Sequence, residues 1–174
     1  MSSISQLNDA ESHVLKAIQD VAFDVPGVLP TARGLSHFGE HALGWIALSA
    51  LAAGIDKPRR RQWAGVGLAA FGAHAASVVI KRVVRRRRPD YSYVRVGVKT
   101  PSRLSFPSSH STSTAAFLVA AARVTGKRSF WLGVPVMMAS RMVLGVHYPS
   151  DTAVGALLGA TTAQVVSRLE RKTA

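Results

Sequence analysis

Cysteine is absent from the sequence, and acidic residues are few. Without cysteine the chain can form neither disulfide bonds nor thiolate metal sites. Only 9 residues are acidic against 22 Lys and Arg, which gives a formal net charge of +13. An excess of this sign usually indicates a partner with negative charge, and nucleic acid is the first candidate.

Charged residues of both signs together are also scarce, at 18% of the chain, whereas 48% of the residues are hydrophobic. The mean hydropathy is +0.17, and apolar runs separate the basic clusters. A helix that crosses a bilayer needs about 20 residues, and several of these runs come close to that length. At 174 residues the chain is expected to form one domain, residues 1–174. We therefore favour an integral membrane protein over a soluble nucleic-acid binder.

The beginning of the chain predicts an amphipathic helix. The first thirty residues contain four acids and no uninterrupted apolar core, so a secretory signal is not expected there. Residues 4–25 place apolar side chains at helical spacing with charges between them, which predicts a helix lying on the membrane or against the bundle. Prolines and a glycine end it, so residues 1–30 form a helix and a linker, and residues 31–174 form a transmembrane core.

The expected fold is all-α: an integral membrane helical bundle of about five transmembrane helices plus the N-terminal amphipathic helix. The predicted spans are residues 31–55, 62–84, 108–125, 129–144 and 151–167. In the last span Gly155 and Gly159 have the spacing that lets membrane helices approach closely. Packing within the bundle is the favoured use of this pair, and a homo-oligomer through it stays open. Basic residues divide almost evenly between the two membrane faces, so the orientation is not predicted.

Residues 140–151 combine an arginine, a histidine and an aspartate in a largely apolar stretch. Ionisable groups beside apolar runs are costly, which indicates a functional site. His147 and Asp151 are four residues apart, so helical geometry would place them on one face. The carboxylate could then hold one ring nitrogen and direct the other at a substrate. The alternative is a purely structural helix start, where the negative charge of Asp151 interacts favourably with the positive end of the helix dipole.

Two upstream segments favour the functional reading. Residues 106–110 place His110 directly after small residues that can begin a helix, and free N–H groups at a helix start attract anions such as phosphate. Lys81 and Arg88 bracket a basic run. With five spans, the end of the second, the start of the third and the connection between the last two lie at one membrane face. All three segments are therefore expected to converge.

Together the segments read Lys, six residues, Arg-Pro; then Pro-Ser-x-His; then Ser-Arg, five residues, His, three residues, Asp. In this order and spacing they resemble the type 2 phosphatidic acid phosphatase superfamily, which also includes the vanadium haloperoxidases. The motifs occupy residues 81–151. Ser109 stands where the family usually has glycine; its N–H can still donate, but its side chain narrows the phosphate pocket.

The short length, the amphipathic start and residues 36–41 resemble one branch of this superfamily. These are the actinobacterial enzymes that remove the ribose phosphate of decaprenyl-phosphoryl phosphoribose on the way to the cell-wall arabinose donor. Another polyprenyl (pyro)phosphate, phosphatidate or phosphatidylglycerophosphate phosphatase is the alternative. A membrane-anchored binder of anionic lipid or nucleic acid is the non-enzymatic alternative.

The resemblance implies a catalytic role for three residues. His147 would be the nucleophile that forms a phosphohistidine, and Asp151 would orient it. His110 would protonate the leaving oxygen and then activate water. The phosphate would be bound by Lys81, Arg88, Ser108, Ser109 and Arg141. The motifs contain no carboxylate cluster for Mg²⁺, so neither a metal nor a cofactor is expected.

Substrate choice should depend on groups around the phosphate site. The candidates for headgroup contact are Glu40, His41, Asp90 and Tyr91. Residues 37–41 also fit the His-x-x-Glu-His pattern of inverted zinc proteases, but a further carboxylate ligand is lacking, and an interfacial structural role is the other alternative.

The expected partners are a lipid-phosphate substrate and membrane lipids, not nucleic acid. Residues 85–87 are expected to attract anionic lipid headgroups. The expected location is the plasma membrane, which the chain would cross several times.

Overall fold

The computed structural model describes residues 3–172, and all regular secondary structure within this range is helical. Its seven α-helices are α1 (Ser3–Ala22), α2 (Val28–Phe38), α3 (Leu43–Ile55), α4 (Arg60–Val84), α5 (Ser109–Thr125), α6 (Gly133–Val143) and α7 (Pro149–Lys172). Three short 3₁₀ helices cover Glu40–Ala42, Lys57–Arg59 and Arg128–Leu132. The all-helical prediction is confirmed.

Helix α5 forms the centre of the bundle. Every residue from 111 to 122 is buried, and the helix packs mainly against α7 and α4. Its sequence is rich in Ala, Ser and Thr, and such small side chains let neighbouring helices approach closely. Their hydroxyls donate to backbone carbonyls of the same helix, for example Ser113 to Ser109 at 3.0 Å. Such bonds pair hydroxyl groups of this buried helix within the helix itself.

Both glycines of α7 face α5. A Cβ atom at Gly155 would lie 2.7 Å from the carbonyl oxygen of Ser108, and one at Gly159 would overlap that of Thr112. Both glycines are buried. The pair therefore serves packing within the chain and offers no exposed surface to a second copy. The oligomer contact considered for Gly155 and Gly159 is corrected accordingly.

The first predicted span, residues 31–55, is broken. Helices α2 and α3 meet at an angle of 53°, and His41 and Ala42 between them adopt positive φ values of 51° and 60°. The end of α2 passes against α5, since a Cβ atom at Gly39 would lie 2.8 Å from Cδ2 of His110. The prediction of one continuous helix is wrong here, because the chain bends to reach His110.

Helix length and hydropathy do not establish five spans. The segment Lys57–Val84 is the one helix, among residues 3–172, that is long and apolar enough to cross a membrane, and the bent α2–α3 pair makes a second candidate. The fourth predicted span, residues 129–144, begins as a 3₁₀ helix, and its α-helix α6 has only 11 residues. Because α5 is enclosed by other helices, it does not need an apolar outer surface.

Helix α1 docks onto the bundle with polar residues inward. The residues on its buried face are Glu11, Ser12, Leu15 and Gln19. Its exposed face carries Leu7, Val14 and Val21, which are 51%, 48% and 78% exposed. The side-chain nitrogen of Gln19 donates to the carbonyl oxygens of Arg95 and Val143 at 2.7 and 2.9 Å. The predicted amphipathic helix is therefore present, with its apolar stripe facing away from the protein.

Candidate active site

A cavity of about 360 Å³ lies where the three sequence motifs meet. The motif residues that line it are Lys81, Arg88, Ser109, His110, Arg141 and His147. They come from the last turn of α4, the loop after it, the first turn of α5, the last turn of α6 and the loop before α7. The convergence expected from the sequence is thus present in the fold.

His147 is buried between a carboxylate and a guanidinium. Its Nδ1 lies 3.6 Å from Oδ2 of Asp151, and its Nε2 lies 3.0 Å from Nη1 of Arg88. Burial, together with the positive charges of Arg88 and Arg141, holds the pKa of His147 well below its usual value. The ring is therefore neutral at physiological pH. Since Nδ1 faces the carboxylate, Nε2 is the nitrogen whose lone pair can attack a substrate.

The side chain of Arg141 has buried hydrogen-bond donors that are not paired within residues 3–172. The residue is 1% exposed, and its Nε and Nη1 have no hydrogen-bond partner within the part of the chain that the structure describes. A buried guanidinium without partners is strongly unfavourable, so this geometry indicates a site for an anion. A phosphate could accept bidentate hydrogen bonds there.

Arg88 is fixed on one side by the backbone. Its Nε donates to the carbonyl oxygen of Ser102 at 2.8 Å, and its Nη1 donates to that of Val146 at 2.6 Å. Burial lowers the pKa of Arg88 to about 10, so it keeps its charge at neutral pH. The residue thus presents a fixed positive charge directly beside the ring of His147.

The ring of His110 contacts the broken first span. Its Nε2 lies 2.9 Å from the carbonyl oxygen of Ser36, near the end of α2. Because a carbonyl only accepts, Nε2 carries the proton in this bond, and Nδ1 is left to exchange a proton with a substrate. The break in the span therefore supplies a backbone group that orients His110.

Lys81 is committed to the backbone before α5. Its Nζ donates to the carbonyl oxygens of Ser105 and Pro107, both at 2.9 Å, and to that of Leu104 at 3.3 Å. It lines the cavity and is 7% exposed. Its contacts show that Lys81 holds the segment preceding α5 and also adds positive charge to the cavity.

The two serines before His110 differ in position. Ser108 is fully buried and caps α5, accepting a hydrogen bond from the N–H of Ser111 at 3.4 Å, and it is not among the residues that line the cavity. Phosphate binding by Ser108 stays a prediction. Ser109 does line the cavity, and its hydroxyl accepts from that of Ser77 on α4 at 2.8 Å. The side chain that replaces the usual glycine is therefore tied to α4.

The structure divides the four candidate headgroup residues into two pairs. Glu40 and His41 are exposed and line the mouth of the cavity. Asp90 and Tyr91 do not line it, and the Tyr91 hydroxyl donates to Asp9 of α1 at 2.9 Å. Tyr91 is held against α1 by this bond, whereas Asp90 is exposed, and headgroup contact by this second pair stays a prediction.

Six further polar residues, outside the motifs and the predicted headgroup set, also line the cavity. They are His37, His74, Arg82, Lys99, Thr100 and Ser102. Among residues 3–172, no three or more His, Asp or Glu side chains are placed to hold a metal ion together. The His-x-x-Glu-His pattern at residues 37–41 therefore does not form a zinc site there.

Arg86 is the residue beside Asp151 whose buried position the sequence analysis missed. We expected residues 85–87 to face lipid, but the Arg86 side chain is only 9% exposed and donates to Oδ1 of Asp151 at 2.8 Å. Arg85 and Arg87 are exposed. The run is therefore not one continuous basic surface, because alternate arginines turn inward. No motif distinguished Arg86; the only sequence signal was that Glu11 and Asp151 required cationic partners.

Comparison with known proteins agrees with this geometry. The family model described as the PAP2 superfamily matches residues 62–173. The chain is 53% identical to decaprenylphosphoryl-5-phosphoribose phosphatase of Mycobacterium tuberculosis (strain ATCC 25618 / H37Rv), over 90% of this chain and 88% of that protein. It is 56% identical to the Mycolicibacterium smegmatis protein of the same name, over 83% of this chain and 81% of the relative.

Two solved structures share the fold. A transmembrane PAP2-type phosphatidylglycerolphosphate phosphatase from Bacillus subtilis aligns with a TM-score of 0.77 and 22% identity, over 98% of this chain and 88% of that one. Aquifex aeolicus LpxE aligns with a TM-score of 0.66 and 18% identity, over 90% and 93%. The chain belongs to the PAP2 superfamily and has the fold of its membrane members. The family resemblance seen in the motifs is confirmed.

Proposed function

We propose that this protein is a membrane phosphatase that hydrolyses the phosphomonoester of decaprenylphosphoryl-5-phosphoribose and releases decaprenylphosphoryl ribose for cell-wall arabinan precursor synthesis. The relatives that carry this name are more than half identical over most of the chain. The observation that carries the chemistry is the buried, unpartnered edge of Arg141 in the same cavity as the neutral ring of His147. Because both residues line this cavity, an anion bound by Arg141 would share it with the Nε2 atom of His147.

The first step forms a phosphohistidine. Arg88 and Arg141 hold the phosphate, and Nε2 of His147 attacks phosphorus while the bond to the ribose oxygen breaks. His110, which first takes a proton at Nδ1 from the bound phosphomonoester or from solvent, gives this proton to that oxygen, so the sugar leaves as an alcohol while Nε2–H stays bonded to Ser36. Asp151 accepts a hydrogen bond from Nδ1 as the imidazole gains positive charge. Fixed cations stabilise the charge of the five-coordinate transition state.

The second step frees the enzyme. His110, now without the proton it gave away, accepts one from water, and the water oxygen attacks phosphorus. The bond from phosphorus to Nε2 breaks, inorganic phosphate leaves, and His147 is again neutral.

The cations of the cavity take the place that metal ions hold in many phosphatases, so the reaction is metal-independent. Activity should survive EDTA and fall with vanadate, which can adopt the five-coordinate geometry of the transition state. If EDTA abolished the activity and Mg²⁺ or Zn²⁺ restored it, this mechanism would be contradicted.

The mouth of the cavity suits the rest of this substrate. Glu40 and His41 can bond ribose hydroxyls, and Arg82 and Lys99 provide positive charge for the second phosphate, which joins the sugar to the lipid. A site built to bond hydroxyls discriminates strongly against analogues that lack them. We therefore expect slower cleavage of phosphatidate and of polyprenyl pyrophosphate.

The membrane arrangement is part of this proposal. The chain crosses the plasma membrane five times, and α1 lies along the surface at the motif end with Leu7, Val14 and Val21 toward lipid. Because the sequence has no cysteine, single cysteines can be introduced without background labelling. A cysteine at Arg87 and one at Lys127 should react from opposite sides of sealed vesicles; reaction from the same side would contradict five spans.

The test of function is phosphate release by purified protein from three lipids. The lipids are decaprenylphosphoryl-5-phosphoribose, phosphatidate and a polyprenyl pyrophosphate. We expect the highest kcat/KM for the first. Equal values for all three would contradict the substrate assignment and leave the phosphatase assignment standing. No phosphate release from any of them would favour the lipid-binding alternative.

A further inference from the structure

The N-terminal helix reaches the active site through one buried carboxylate, that of Glu11. Its Oε2 accepts hydrogen bonds from Nη2 of Arg86 at 2.5 Å and from Oγ of Ser150 at 2.8 Å. Its Oε1 accepts one from the N–H of Ser150 at 2.6 Å. The side chains of Glu11 and Arg86 are 11% and 9% exposed. A charged pair this well enclosed is screened little by salt, so it can hold a defined geometry.

Arg86 connects this carboxylate to that of Asp151. Its Nη1 donates to Oδ1 of Asp151 at 2.8 Å and to Oγ of Ser150 at 2.6 Å. Its Nε and Nη2 donate to Oδ1 of Asn8 at 3.0 and 2.7 Å. The guanidinium also lies over the ring of Tyr148, 4.0 Å from the ring centroid. Because all three nitrogens are engaged and one face is stacked, the group has a single orientation.

The carboxylate of Asp151 is consequently fixed at both oxygens. Oδ1 accepts from Arg86, and Oδ2 accepts from the N–H of Tyr148 at 2.9 Å while facing Nδ1 of His147 at 3.6 Å. A rotation of the carboxylate would turn Oδ2 away from the ring and release the orientation of Nε2. The orientation of the nucleophile therefore depends on contacts that begin in α1.

We propose that Glu11 and Arg86 are positioning residues of this phosphatase: α1 holds Arg86, Arg86 holds Asp151, and Asp151 holds His147. The N-terminal helix is on this account a working part of the active site and not only a membrane anchor. The inference rests on the phosphohistidine step of the proposed function, and it does not depend on which lipid is the substrate.

The chain offers a matched control for the docking of α1. Asp9 lies on the same helix and accepts from Tyr91 in the loop between α4 and α5, the loop that also carries Arg86, but it does not touch Arg86. Asp9→Asn therefore removes one negative charge from α1 and weakens its docking, as Glu11→Gln does, while the contacts of Asp151 with Arg86 and Tyr148 stay in place. A purely structural role of the helix would make the two variants equivalent.

The experiment measures kcat and KM of the full chain in detergent, with a soluble aryl phosphate and with the lipid substrate. Glu11→Gln and Arg86→Gln should lower kcat by roughly 10- to 100-fold, the usual effect of losing a partner that orients a catalytic ligand. KM should stay the same, because Arg88 and Arg141 still hold the phosphate. Arg86→Lys should recover part of the loss, and Asp9→Asn should match the wild type.

A double variant separates a chain of contacts from independent effects. If Glu11 acts through Arg86, adding Glu11→Gln to Arg86→Gln should cost little beyond the larger single effect. If the decrease in kcat of the double variant equals the product of the two single decreases, the proposal is overturned. An Asp9→Asn variant as slow as Glu11→Gln would also overturn it. Wild-type kcat in Glu11→Gln and Arg86→Gln, beside an inactive His147→Ala, would overturn this inference alone. An active His147→Ala would instead remove the phosphohistidine step on which it rests.

Discussion

The two sides of the active-site cavity differ in how completely their polar groups are paired. On the nucleophile side, Asp151 is bonded at both carboxylate oxygens, and its partner Arg86 is bonded at all three nitrogens. On the facing side, two nitrogens of Arg141 have no partner within residues 3–172, and Glu40 is exposed. The protein thus fixes the carboxylate that faces His147 before substrate arrives. It leaves Nδ1 of His147, 3.6 Å from Oδ2 of Asp151, and the anion site at Arg141 to be completed when the ligand binds.

The largest effect should come from removing the attacking group itself. His147→Ala should abolish phosphate release from every substrate, because no other side chain can accept the phosphoryl group at this position. Phosphate release is the measurement, and unchanged elution of the purified variant on size exclusion shows that it is folded. Turnover near the wild-type rate would mean that the paired side of the cavity does not contain the nucleophile.

The unpaired side should show the next largest effect. Arg141→Ala should lower kcat/KM by about 10²–10³-fold, since losing one preorganised donor to a transition state costs about 2.7–4 kcal/mol. The same variant should gain thermal stability when no phosphate is present, because it removes a buried charge without partners. A variant that loses stability and keeps its activity would reverse the roles assigned to the two sides.

The burial of His147 predicts a smaller, pH-dependent effect on stability. Its pKa is lowered in the folded protein, so below the unfolded value of about 6.5 the unfolded chain binds more protons than the folded one. The free energy of unfolding should therefore fall as the pH decreases from 7 to 5, by at most about 1.4 kcal/mol per unit from this group. Thermal unfolding in detergent measures it, and His147→Gln should flatten the dependence. An equal dependence in both proteins would contradict the burial of a neutral ring.

The smallest effect concerns the cavity mouth. Glu40→Ala should reduce the preference for the ribose-linked substrate over phosphatidate while hardly changing turnover of a soluble aryl phosphate. The reason is that Glu40 lines the entrance and lies on a different segment from the three motifs. The ratio of kcat/KM values for the two lipids is the measurement. An unchanged ratio would show that the headgroup is recognised elsewhere in the cavity.

Local spacing predicted the parts of the site that depend on a few neighbouring residues. The His147–Asp151 pair and the start of α5 at Ser109 follow from such patterns, and the fold brings them together at one cavity. The break at residues 39–42 was not predictable in this way. It results from the contact between α2 and His110, some 70 positions later in the chain, which hydropathy does not encode.

The position of Arg86 is a second feature that local sequence patterns could not predict. Within a run of basic residues, every arginine looks alike in sequence, and solvent or lipid is the default environment. Its burial depends on two carboxylates that lie far from it in sequence, Glu11 and Asp151. The only signal in the sequence was that these two carboxylates, among few acids in the chain, require cationic partners.

The most direct test of the account is to trap the phosphoenzyme. The purified protein is mixed with substrate labelled with ³²P at the ribose phosphate and quenched in alkali within milliseconds to seconds, and the label is then mapped by mass spectrometry of the peptides. We predict a base-stable, acid-labile phosphohistidine at His147 that is absent in His147→Ala; His110→Ala should slow both its formation and its hydrolysis. Label on another residue, or label that persists in His147→Ala, would contradict the central claim that the fixed side of the cavity carries the nucleophile.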